Sequence, residues 1–205
     1  MSFYEDKILP RLINAACNTS PTSKQREKIV PRASGDVLEI GFGSGLNLPH
    51  YDREKVRHIW ALEPAAGMRK IAAKPIANSG LNIELIDLPG EQIPLDDNSV
   101  DTVLVTYTLC SISEVQSALL GMRRVLKPNG RLLYCEHGKA PDASVTKWQD
   151  RLNPAWKKIA GGCNMNRDIV QILTGAGFAI GDDNRMYVPG LKSLSYNYWG
   201  AATIG

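Results

Sequence analysis

Three glycines spaced two residues apart are the feature of this sequence that most clearly indicates a binding site. Gly41, Gly43 and Gly45 directly follow the mainly apolar run 37–40, in which Glu39 is the one charged residue. The pattern predicts a buried strand that ends in a tight turn before the start of a helix. Glycine lets the backbone approach a ligand closely, and N–H groups at a helix start attract polar or anionic atoms. We therefore expect a ligand on this turn.

The spacing of these glycines argues against one common class of ligand. Dinucleotide-binding turns carry Gly-x-Gly-x-x-Gly, whereas this chain has Gly-x-Gly-x-Gly, followed by Asn47. In the dinucleotide pattern the third glycine lies one position later and serves helix packing. The mismatch argues against an oxidoreductase that uses NAD.

A carboxylate further along the chain indicates a nucleoside instead. The run 58–62 predicts a second strand, and Glu63 stands at its carboxyl end. A carboxylate there can accept hydrogen bonds from both hydroxyls of a ribose that lies across the neighbouring turn. The glycines alone could form only a turn, but together with Glu63 they predict a nucleoside site.

Strands that alternate with helices must position these residues. We predict strands over 36–40, 56–62, 81–86, 102–106 and 131–136, with helices over 44 to about 50, 64–77 and 113–127. This alternation predicts a doubly wound α/β sheet whose ligands bind at the carboxyl ends of the strands. At those ends lie 41–45, Glu63, the loop 89–95, 107–111 and His137.

Further helices and strands are predicted on both sides of this core. An amphipathic helix over 3–17 is expected to form a lid over the site, or alternatively to contact a membrane surface or a partner. Thr22 and Gln25 have the spacing of a capping box that opens a second helix. The segment 142–160 predicts a helix that roofs the pocket, Asn166 is expected to cap a last helix, and 178–188 and 194–202 predict an antiparallel pair of strands.

Length and composition predict a single domain of 205 residues. It divides into lid helices over 1–34, a cofactor-binding core over 36–136, acceptor-side helices over 140–175 and closing strands over 178–203. A net charge of +3 is too mild to indicate nucleic acid as a partner. Four widely spaced cysteines predict neither a metal site nor a disulfide framework, and no signal peptide or membrane-spanning run is present. We expect a cytoplasmic protein that is a monomer or a homodimer.

Several motifs within 36–136 resemble those of class I S-adenosylmethionine-dependent methyltransferases. They are 39–45, Glu63-Pro64 with Met68 behind it, Glu91-x-x-Pro94-Leu95 before 97–101, and 123–130. The resemblance implies a Rossmann-like, seven-stranded, mostly parallel sheet with an antiparallel last strand. It also implies S-adenosyl-L-methionine as cofactor and S-adenosyl-L-homocysteine as product.

The resemblance also assigns parts of the cofactor to parts of the chain. In that family the glycine turn holds the amino-acid end, the acid matching Glu63 holds the ribose, and the loop matching Gly90-Glu91 borders the adenine. Many relatives have Asp where this chain has Pro89, so Glu91 or the backbone must replace one adenine contact. The candidate cofactor-binding residues are Glu39, Gly41, Gly43, Gly45, Asn47, Glu63, Pro64, Met68, Gly90, Glu91 and Thr106.

The C-terminal half is similar to a narrower group within the family. Cys135-Glu136-His137, Trp148-Gln149, Pro154-x-Trp156-Lys157, 161–164 and Arg167 resemble thiol S-methyltransferases of the animal endoplasmic reticulum and bacterial relatives labelled phospholipid methyltransferases. This implies methyl transfer to a thiol or another small molecule. The alternatives are a phosphatidylethanolamine-type phospholipid acceptor and a non-catalytic cofactor-binding subunit. The animal enzymes have a membrane-anchoring N-terminal segment, whereas here we expect the catalytic body, with peripheral membrane contact through the N-terminal helix as an alternative.

Two residues are candidates for catalysis on that acceptor. His137 follows the fifth strand and could help a thiol to lose its proton, or it could be a strand-end histidine bonded to a carbonyl. Tyr107 follows the fourth strand, where this fold presents groups to the acceptor. The candidate acceptor-binding residues are Cys110, Trp148, Cys163, Asn164 and Arg167; burial for packing is the alternative for Cys110 and Trp148, and a helix cap or a turn is the alternative for Arg167 and Asn164.

Overall fold

The computed structural model describes residues 8–205, which form a seven-stranded sheet with helices on both faces. The strands are β1 (Gly35–Ile40), β2 (Val56–Leu62), β3 (Ile83–Ile86), β4 (Val100–Thr106), β5 (Leu126–His137), β6 (Phe178–Tyr187) and β7 (Tyr196–Ile204). The helices are α1 (Leu9–Cys17), α2 (Ser20–Ile29), α3 (Ala66–Ser79), α4 (Val115–Val125), α5 (Ala143–Ile159), α6 (Ile169–Gly175) and α7 (Lys192–Ser195). The first residues of the predicted helix over 3–17 lie outside the described residues.

The order of the strands places the predicted site at a crevice in the sheet. It is β3-β2-β1-β4-β5-β7-β6. β1 pairs in parallel with both β2 and β4, so the direction of winding reverses beside β1. β7 runs antiparallel to both β5 and β6. The predicted doubly wound, mostly parallel sheet with an antiparallel closing pair is confirmed, and ligands of such sheets bind where the winding reverses.

Apolar clusters on the two faces of the sheet hold the helices in place. α4 and α6 pack on one face, through Leu119 and Ile169, while α2 and α3 pack on the other, through Ile29 and Ala72. β4 is buried along its length except at Asp101. Burial on both faces is what its β-branched run predicts for a central parallel strand. Across residues 8–205, the helices lack the length and apolar character that crossing a membrane would require.

The helix predicted directly after the glycine turn does not form. Residues 48–50 make a single 3₁₀ turn instead. Gly45 has a φ of 82°, which is outside the helical region, and Pro49 lacks the N–H that a continuing helix would use. A ligand here therefore meets the backbone of the turn itself rather than a helix N-terminus.

Two predicted helix caps lie at other residues. α2 starts after Thr19, which forms the capping box with Thr22, whereas the prediction paired Thr22 with Gln25. Asp168 caps α6 by accepting the N–H of Gln171 at 3.1 Å, in place of Asn166. Both differences arise because several neighbouring polar residues could cap and packing selects among them.

α5 does not pack through the large apolar side chains that recur along it at helical spacing. Trp148, Leu152 and Ile159 are each more than 40% exposed. The helix is instead held by Gln149, which is fully buried. Its Nε2 donates to the carbonyls of Gly138, Met165 and Ser193 at 2.8–3.0 Å, and its Oε1 accepts from Ala140 N at 2.9 Å. A polar anchor is invisible to a search for apolar periodicity.

Candidate active site

The three glycines of the turn share a left-handed conformation but have different surroundings. Their φ values are 69° at Gly41, 61° at Gly43 and 82° at Gly45. A Cβ at Gly41 would lie 2.3 Å from the side chain of Thr108, and one at Gly45 would lie 2.9 Å from Leu48. Within residues 8–205, a Cβ at Gly43 would come no closer than 3.8 Å to any atom beyond its chain neighbours. Gly41 and Gly45 therefore serve packing, whereas Gly43 leaves open space beside the turn.

Two backbone N–H groups hold Glu63 against the turn. Oε2 of Glu63 accepts from Gly43 N at 2.7 Å, and Oε1 accepts from Ala65 N at 2.9 Å. Glu63 is buried, and burial raises its pKa above the usual value in spite of these bonds. Each carboxylate oxygen has room for a second hydrogen bond, so Glu63 can accept from a diol placed next to Gly43.

A cavity of about 360 Å³ opens beside Gly43 and Glu63. This volume lies within the range of small-molecule sites. α1 contributes Ile13, Asn14 and Cys17 to its wall, and its role as a lid stays a prediction. Among the predicted cofactor residues, Gly41, Gly43, Asn47, Glu63, Pro64, Met68, Gly90, Glu91 and Thr106 line the cavity.

Glu39 and Gly45 do not line the cavity, and Glu39 lies beneath the turn in a buried hydrogen-bond network. Asn47 Nδ2 donates to Glu39 Oε1 at 2.9 Å and to Thr106 Oγ1 at 3.0 Å. Tyr51 donates its hydroxyl to Glu39 Oε2 at 2.5 Å. Burial raises the pKa of Glu39 to about 7. Glu39 thus orients Asn47, and Asn47 and Thr106 are the members of this network that line the cavity.

The loop predicted to border an adenine closes another side of the cavity. Gly90 packs directly on β1, since a Cβ there would lie 2.9 Å from Ile40. Glu114 N donates to the Glu91 carboxylate at 3.3 Å. Glu91 lines the cavity. Pro89 also lines the cavity. The replacement of an adenine contact by Glu91 or by the backbone stays a prediction.

Tyr107 and Arg26 form a second wall of the cavity. Tyr107 has a φ of 53° and donates its hydroxyl to Asn197 at 2.7 Å. The guanidinium of Arg26 lies 4.9 Å from the centre of the Tyr107 ring. Arg26 is only 4% exposed, and its Nε has no hydrogen-bond partner among residues 8–205. A buried cation with an unpaired donor at the wall of a cavity is suited to an anionic group of a ligand.

The position of Arg26 in the sequence does not mark it as a binding residue. It is one of 24 Lys and Arg residues and belongs to a helix that the pattern predicts only as part of a lid. Only the packing of α2 against the sheet shows that it is buried. Pro21 and Thr22, at the start of α2, do not indicate that Arg26 faces the cavity, because the side of the helix that faces the cavity depends on where the helix begins.

Three predicted acceptor-side residues come together from distant parts of the chain. Cys163 Sγ lies 3.2 Å from His137 Nε2, and Cys110 Sγ is close to both. Burial alone would lower the pKa of His137, but the contact with Cys163 and the charge of Glu136 raise it overall. The contact with Cys110, together with burial, raises the pKa of the Cys163 thiol. We call Cys110, His137 and Cys163 the thiol–imidazole cluster.

The thiol–imidazole cluster lies next to the cavity rather than in its lining. Ser111, which follows Cys110, and Gly161, which precedes Cys163 by two positions, both line the cavity. Asn164 fixes the loop of Cys163 to the end of β4, since its N and Nδ2 donate to the carbonyl of Cys110 at 2.8 and 2.9 Å. The geometry of Asn164 is therefore that of a positioning residue.

Trp148 and Arg167 lie away from the cavity lining. Trp148 is 57% exposed on α5, where it contacts Arg151, because Gln149 turns the neighbouring face of the helix inward. It contributes neither to the core nor to the cavity wall. Arg167 donates to the carbonyl of Leu109, beside Cys110. Its guanidinium contributes positive charge next to the thiol–imidazole cluster.

Comparisons with known proteins agree with the geometry of the cavity. Residues 38–134 match the family described as the Methyltransferase domain. The chain is 34% identical over 182 residues to the human protein named Thiol S-methyltransferase TMT1B, covering 83% of this chain and 74% of that protein. It is 31% identical over 173 residues to human Thiol S-methyltransferase TMT1A, covering 79% of this chain and 70% of that protein.

Solved structures resemble the whole fold. One, from Thermotoga maritima, is described as a SAM-dependent methyltransferase and possible histamine N-methyltransferase. It has a TM-score of 0.66 and 19% identity, and the match covers 97% of this chain and 98% of that one. At this level of identity the likeness supports the fold.

Proposed function

Because this chain belongs to the class I S-adenosylmethionine-dependent methyltransferases, of the type represented by the thiol S-methyltransferases, we propose that it methylates a small thiol. The enzyme uses S-adenosyl-L-methionine as cofactor. The sulfonium of that cofactor supplies an activated methyl group. The observation that carries the methyl transfer is the cavity at Gly43 and Glu63, which has the open glycine and the buried carboxylate that an adenosyl group requires.

The residues around the cavity fit both polar ends of the cofactor. Glu63 would accept hydrogen bonds from the ribose hydroxyls, and the space next to Gly43 allows that close approach. Arg26 would pair with the carboxylate of the amino-acid end, because its buried Nε has no partner among the described residues. Asn47, oriented by Glu39, would offer a further polar group at the same end.

The choice of a thiol as acceptor rests on the named relatives and on the cavity wall. Both human relatives reported above are named thiol S-methyltransferases. A thiol has an ordinary pKa of about 8.5, so little assistance gives the nucleophilic thiolate at neutral pH. His137, close behind Ser111 and Gly161, is our candidate for assisting that ionisation, and Tyr107 is our candidate for orienting the acceptor.

The two alternatives predict different outcomes of one experiment. A phospholipid acceptor would require a phosphatidylethanolamine amine to be methylated, and a non-catalytic subunit would bind the cofactor without transfer. The relatives named for thiols favour neither alternative. We also propose a cytoplasmic location, which the four unpaired cysteines support. Light scattering on the purified protein would separate a monomer from a homodimer.

Methyl transfer can be tested with cofactor carrying a labelled methyl group. The purified protein is incubated with small aromatic and aliphatic thiols, with the matched alcohols and amines, and with phosphatidylethanolamine vesicles. We expect label in the thiols only, and loss of labelling in Glu63→Ala. Label in the amines or vesicles but not in the thiols would contradict the thiol proposal, and cofactor binding with no transfer to any of them would contradict catalysis on these acceptors.

A further inference from the structure

The thiol–imidazole cluster collects three strong metal ligands at one point. Cys110 follows β4, His137 ends β5 and Cys163 lies in the loop after α5. Their Sγ, Nε2 and Sγ atoms all lie within 4.8 Å of one another, with 3.2 Å between Cys163 Sγ and His137 Nε2. Because the three residues are 27 and 26 positions apart in sequence, no metal-binding spacing could reveal them.

The separation between Cys163 Sγ and His137 Nε2 suits a tetrahedral zinc ion. Zinc bonds of about 2.3 Å to sulfur and about 2.0–2.1 Å to nitrogen place neighbouring ligands of a tetrahedron about 3.5 Å apart for S–N and about 3.8 Å for S–S. The 3.2 Å between Cys163 and His137 is close to the first of these values. Two thiolates and an imidazole form a ligand set that zinc prefers.

The contacts around His137 leave its Nε2 with a weak partner. Among residues 8–205, Nδ1 of His137 is buried without a hydrogen-bond partner. The polar contact of the ring is therefore the one between Nε2 and a thiol, which is a weak hydrogen-bonding group. A metal bond at Nε2 would replace this weak contact by a strong one and would keep the ring proton at Nδ1.

Three protein ligands leave a tetrahedral ion with one open position. Closed structural zinc sites have four protein ligands, whereas catalytic sites have three and bind water or substrate at the fourth, and two cysteines with one histidine are known in such sites. Cys110 is only 2% exposed, while Cys163 is partly exposed. Ser111 and Gly161, close in sequence to these cysteines, both line the cavity. The cavity is therefore the nearest space from which a small molecule could reach the cluster.

We propose that Cys110, His137 and Cys163 bind a zinc ion, and that the acceptor thiol binds this ion as its fourth ligand. The identity of the fourth ligand rests on the proposed function. A thiol that coordinates zinc loses its proton to solvent. The electron pair of the thiolate sulfur then forms the new S–CH₃ bond while the C–S bond of the sulfonium breaks, and that bonding pair stays on the sulfur of S-adenosylhomocysteine. His137 thus promotes ionisation as a metal ligand and not as the proton acceptor.

Metal binding is measured first, without any reaction. Protein stripped with a chelator is titrated with Zn²⁺, and separately with Co²⁺, whose absorption reports thiolate ligands and tetrahedral geometry. We expect one ion per chain, a thiolate-to-cobalt band, and a loss of affinity of at least about 100-fold in Cys110→Ser, His137→Ala and Cys163→Ser, larger than the effect of second-shell changes. Cys17→Ser, in the wall of the cavity but outside the cluster, is the matched control and should bind the ion normally.

The same cobalt protein tests the open position. A small aromatic thiol should shift the thiolate-to-cobalt band, and the matched phenol should not. Binding of S-adenosylhomocysteine, measured by calorimetry, shows that each variant has folded. The proposal is overturned if no ion binds, if the three variants bind it as well as the wild type, if Cys17→Ser loses it, or if the thiol leaves the spectrum unchanged.

Activity then separates this proposal from the proposed function. Thiol methylation at the full rate by metal-free protein would overturn the zinc proposal and leave the proposed function intact. Binding of the ion and the thiol, but with no methyl transfer to any thiol, would overturn the proposed function and leave the metal site intact. Activity that is lost with the ion and regained on adding Zn²⁺ supports both.

Discussion

At the scale of single residues, the glycine turn separates packing from binding. Gly43 has a φ of 61° and open space beside it, so Gly43→Ala should strain the backbone and place a methyl group in the cavity. We expect a loss of stability of about 1–2 kcal/mol from the strain. We also expect at least about a tenfold loss of affinity for S-adenosylhomocysteine in calorimetry, which corresponds to about 1.4 kcal/mol.

Gly80→Ala is the matched control for this change. Gly80 has a φ of 67° at the end of α3, where a Cβ would meet only the flexible side chain of Arg53, at 3.4 Å. The two variants should therefore lose similar stability in urea unfolding, while only Gly43→Ala loses cofactor affinity. Equal affinity in both would contradict the assignment of Gly43 to the cavity.

The buried carboxyl of Glu39 predicts a pH dependence of stability. Its pKa is raised from 4.5 to about 7, because burial disfavours the charged form more than Tyr51 and Asn47 favour it. A raised pKa means that the contribution of Glu39 to stability is complete below about pH 4.5 and is lost as the pH rises through 7.

Glu39→Gln isolates this contribution, because it keeps the shape of the side chain and removes the charge. We expect the free energy of unfolding of the variant, relative to that of the wild type, to increase between pH 5 and pH 8 by on the order of 3 kcal/mol, because only the wild type loses stability over this range. Urea unfolding at several pH values measures it. If the difference in unfolding free energy between the variant and the wild type stays constant over this range, the pKa of Glu39 is not raised in the folded protein.

Residue spacing could predict only those site residues that belong to a recurring pattern of strands and turns. Gly43 and Glu63 were predicted because each follows a strand in a pattern of fixed form. In the structure Gly43 N donates to Glu63 Oε2 at 2.7 Å. Arg26, Cys110 and Cys163 were not recognisable as a set, because their relation depends on where three separate elements end. For Trp148, the apolar pattern gave the wrong environment, since a buried Gln149 orients α5.

At the scale of elements, the segment after the glycine turn shows how local conformation overrides a familiar pattern. A strand, a glycine turn and then a polar segment predict a helix, but Gly45 with its positive φ and Pro49 leave only a short 3₁₀ turn. The ends of α3, α4 and α5 lie within two residues of the predicted ones, whereas β5 begins at Leu126, five residues before its predicted start. Helix ends depend on competing caps such as Thr19 and Asp168.

α1 is the element whose role can be tested most directly. It contributes Ile13 and Asn14 to the cavity, and Asn14 is hydrogen-bonded to Ser44 of the glycine turn at 2.5 Å. Removal of residues 1–18, which leaves the cap of α2 at Thr19, should weaken binding of S-adenosylhomocysteine by about tenfold, or about 1.4 kcal/mol. Its dissociation should become faster, because one wall of the cavity is gone.

A pair of point variants separates the lid from a general effect of truncation. Asn14→Ala removes the bond to Ser44, whereas Arg11→Ala changes an exposed residue on the same helix. Stopped-flow measurement should show faster dissociation for Asn14→Ala only. Unchanged affinity in the truncated chain would contradict the lid.

At the scale of the whole molecule, the two edges of the sheet formed by the carboxyl and amino ends of its parallel strands have different functions. The carboxyl ends of β1, β2 and β4 carry the cavity, and the doubly wound parallel core was predictable because alternating strands and helices allow few topologies. The last two strands were predicted as an antiparallel pair, but their place in the sheet was not, since the pairing of β7 with β5 joins segments far apart in sequence. The opposite edge, at the amino ends of these strands, carries a group of ion pairs that residue spacing did not predict.

Asp101 organises that opposite edge. Its carboxylate accepts hydrogen bonds from Asp36 N at 2.9 Å, from Arg57 at 2.7 Å and from Lys127 at 2.8 Å. Burial would raise the pKa of Asp101, but Lys127, the Asp36 amide and Arg57 together lower it. The contribution of a carboxylate with a lowered pKa is present above its unfolded value of 3.8 and is lost as the pH falls through the folded value.

Asp101→Asn should therefore lower stability without changing the site at the other edge. We expect a loss of about 1–2 kcal/mol at pH 7 in urea unfolding, shrinking below about pH 4, and unchanged affinity for S-adenosylhomocysteine. Asp97→Asn is the matched control, because Asp97 pairs with Arg124 at 2.7 Å while its side chain is 69% exposed, and such pairs contribute little. A fall in cofactor affinity for Asp101→Asn would show that the two edges are coupled, since the hydrogen-bond partners of Asp101 in the described part of the chain, Asp36, Arg57 and Lys127, do not line the cavity.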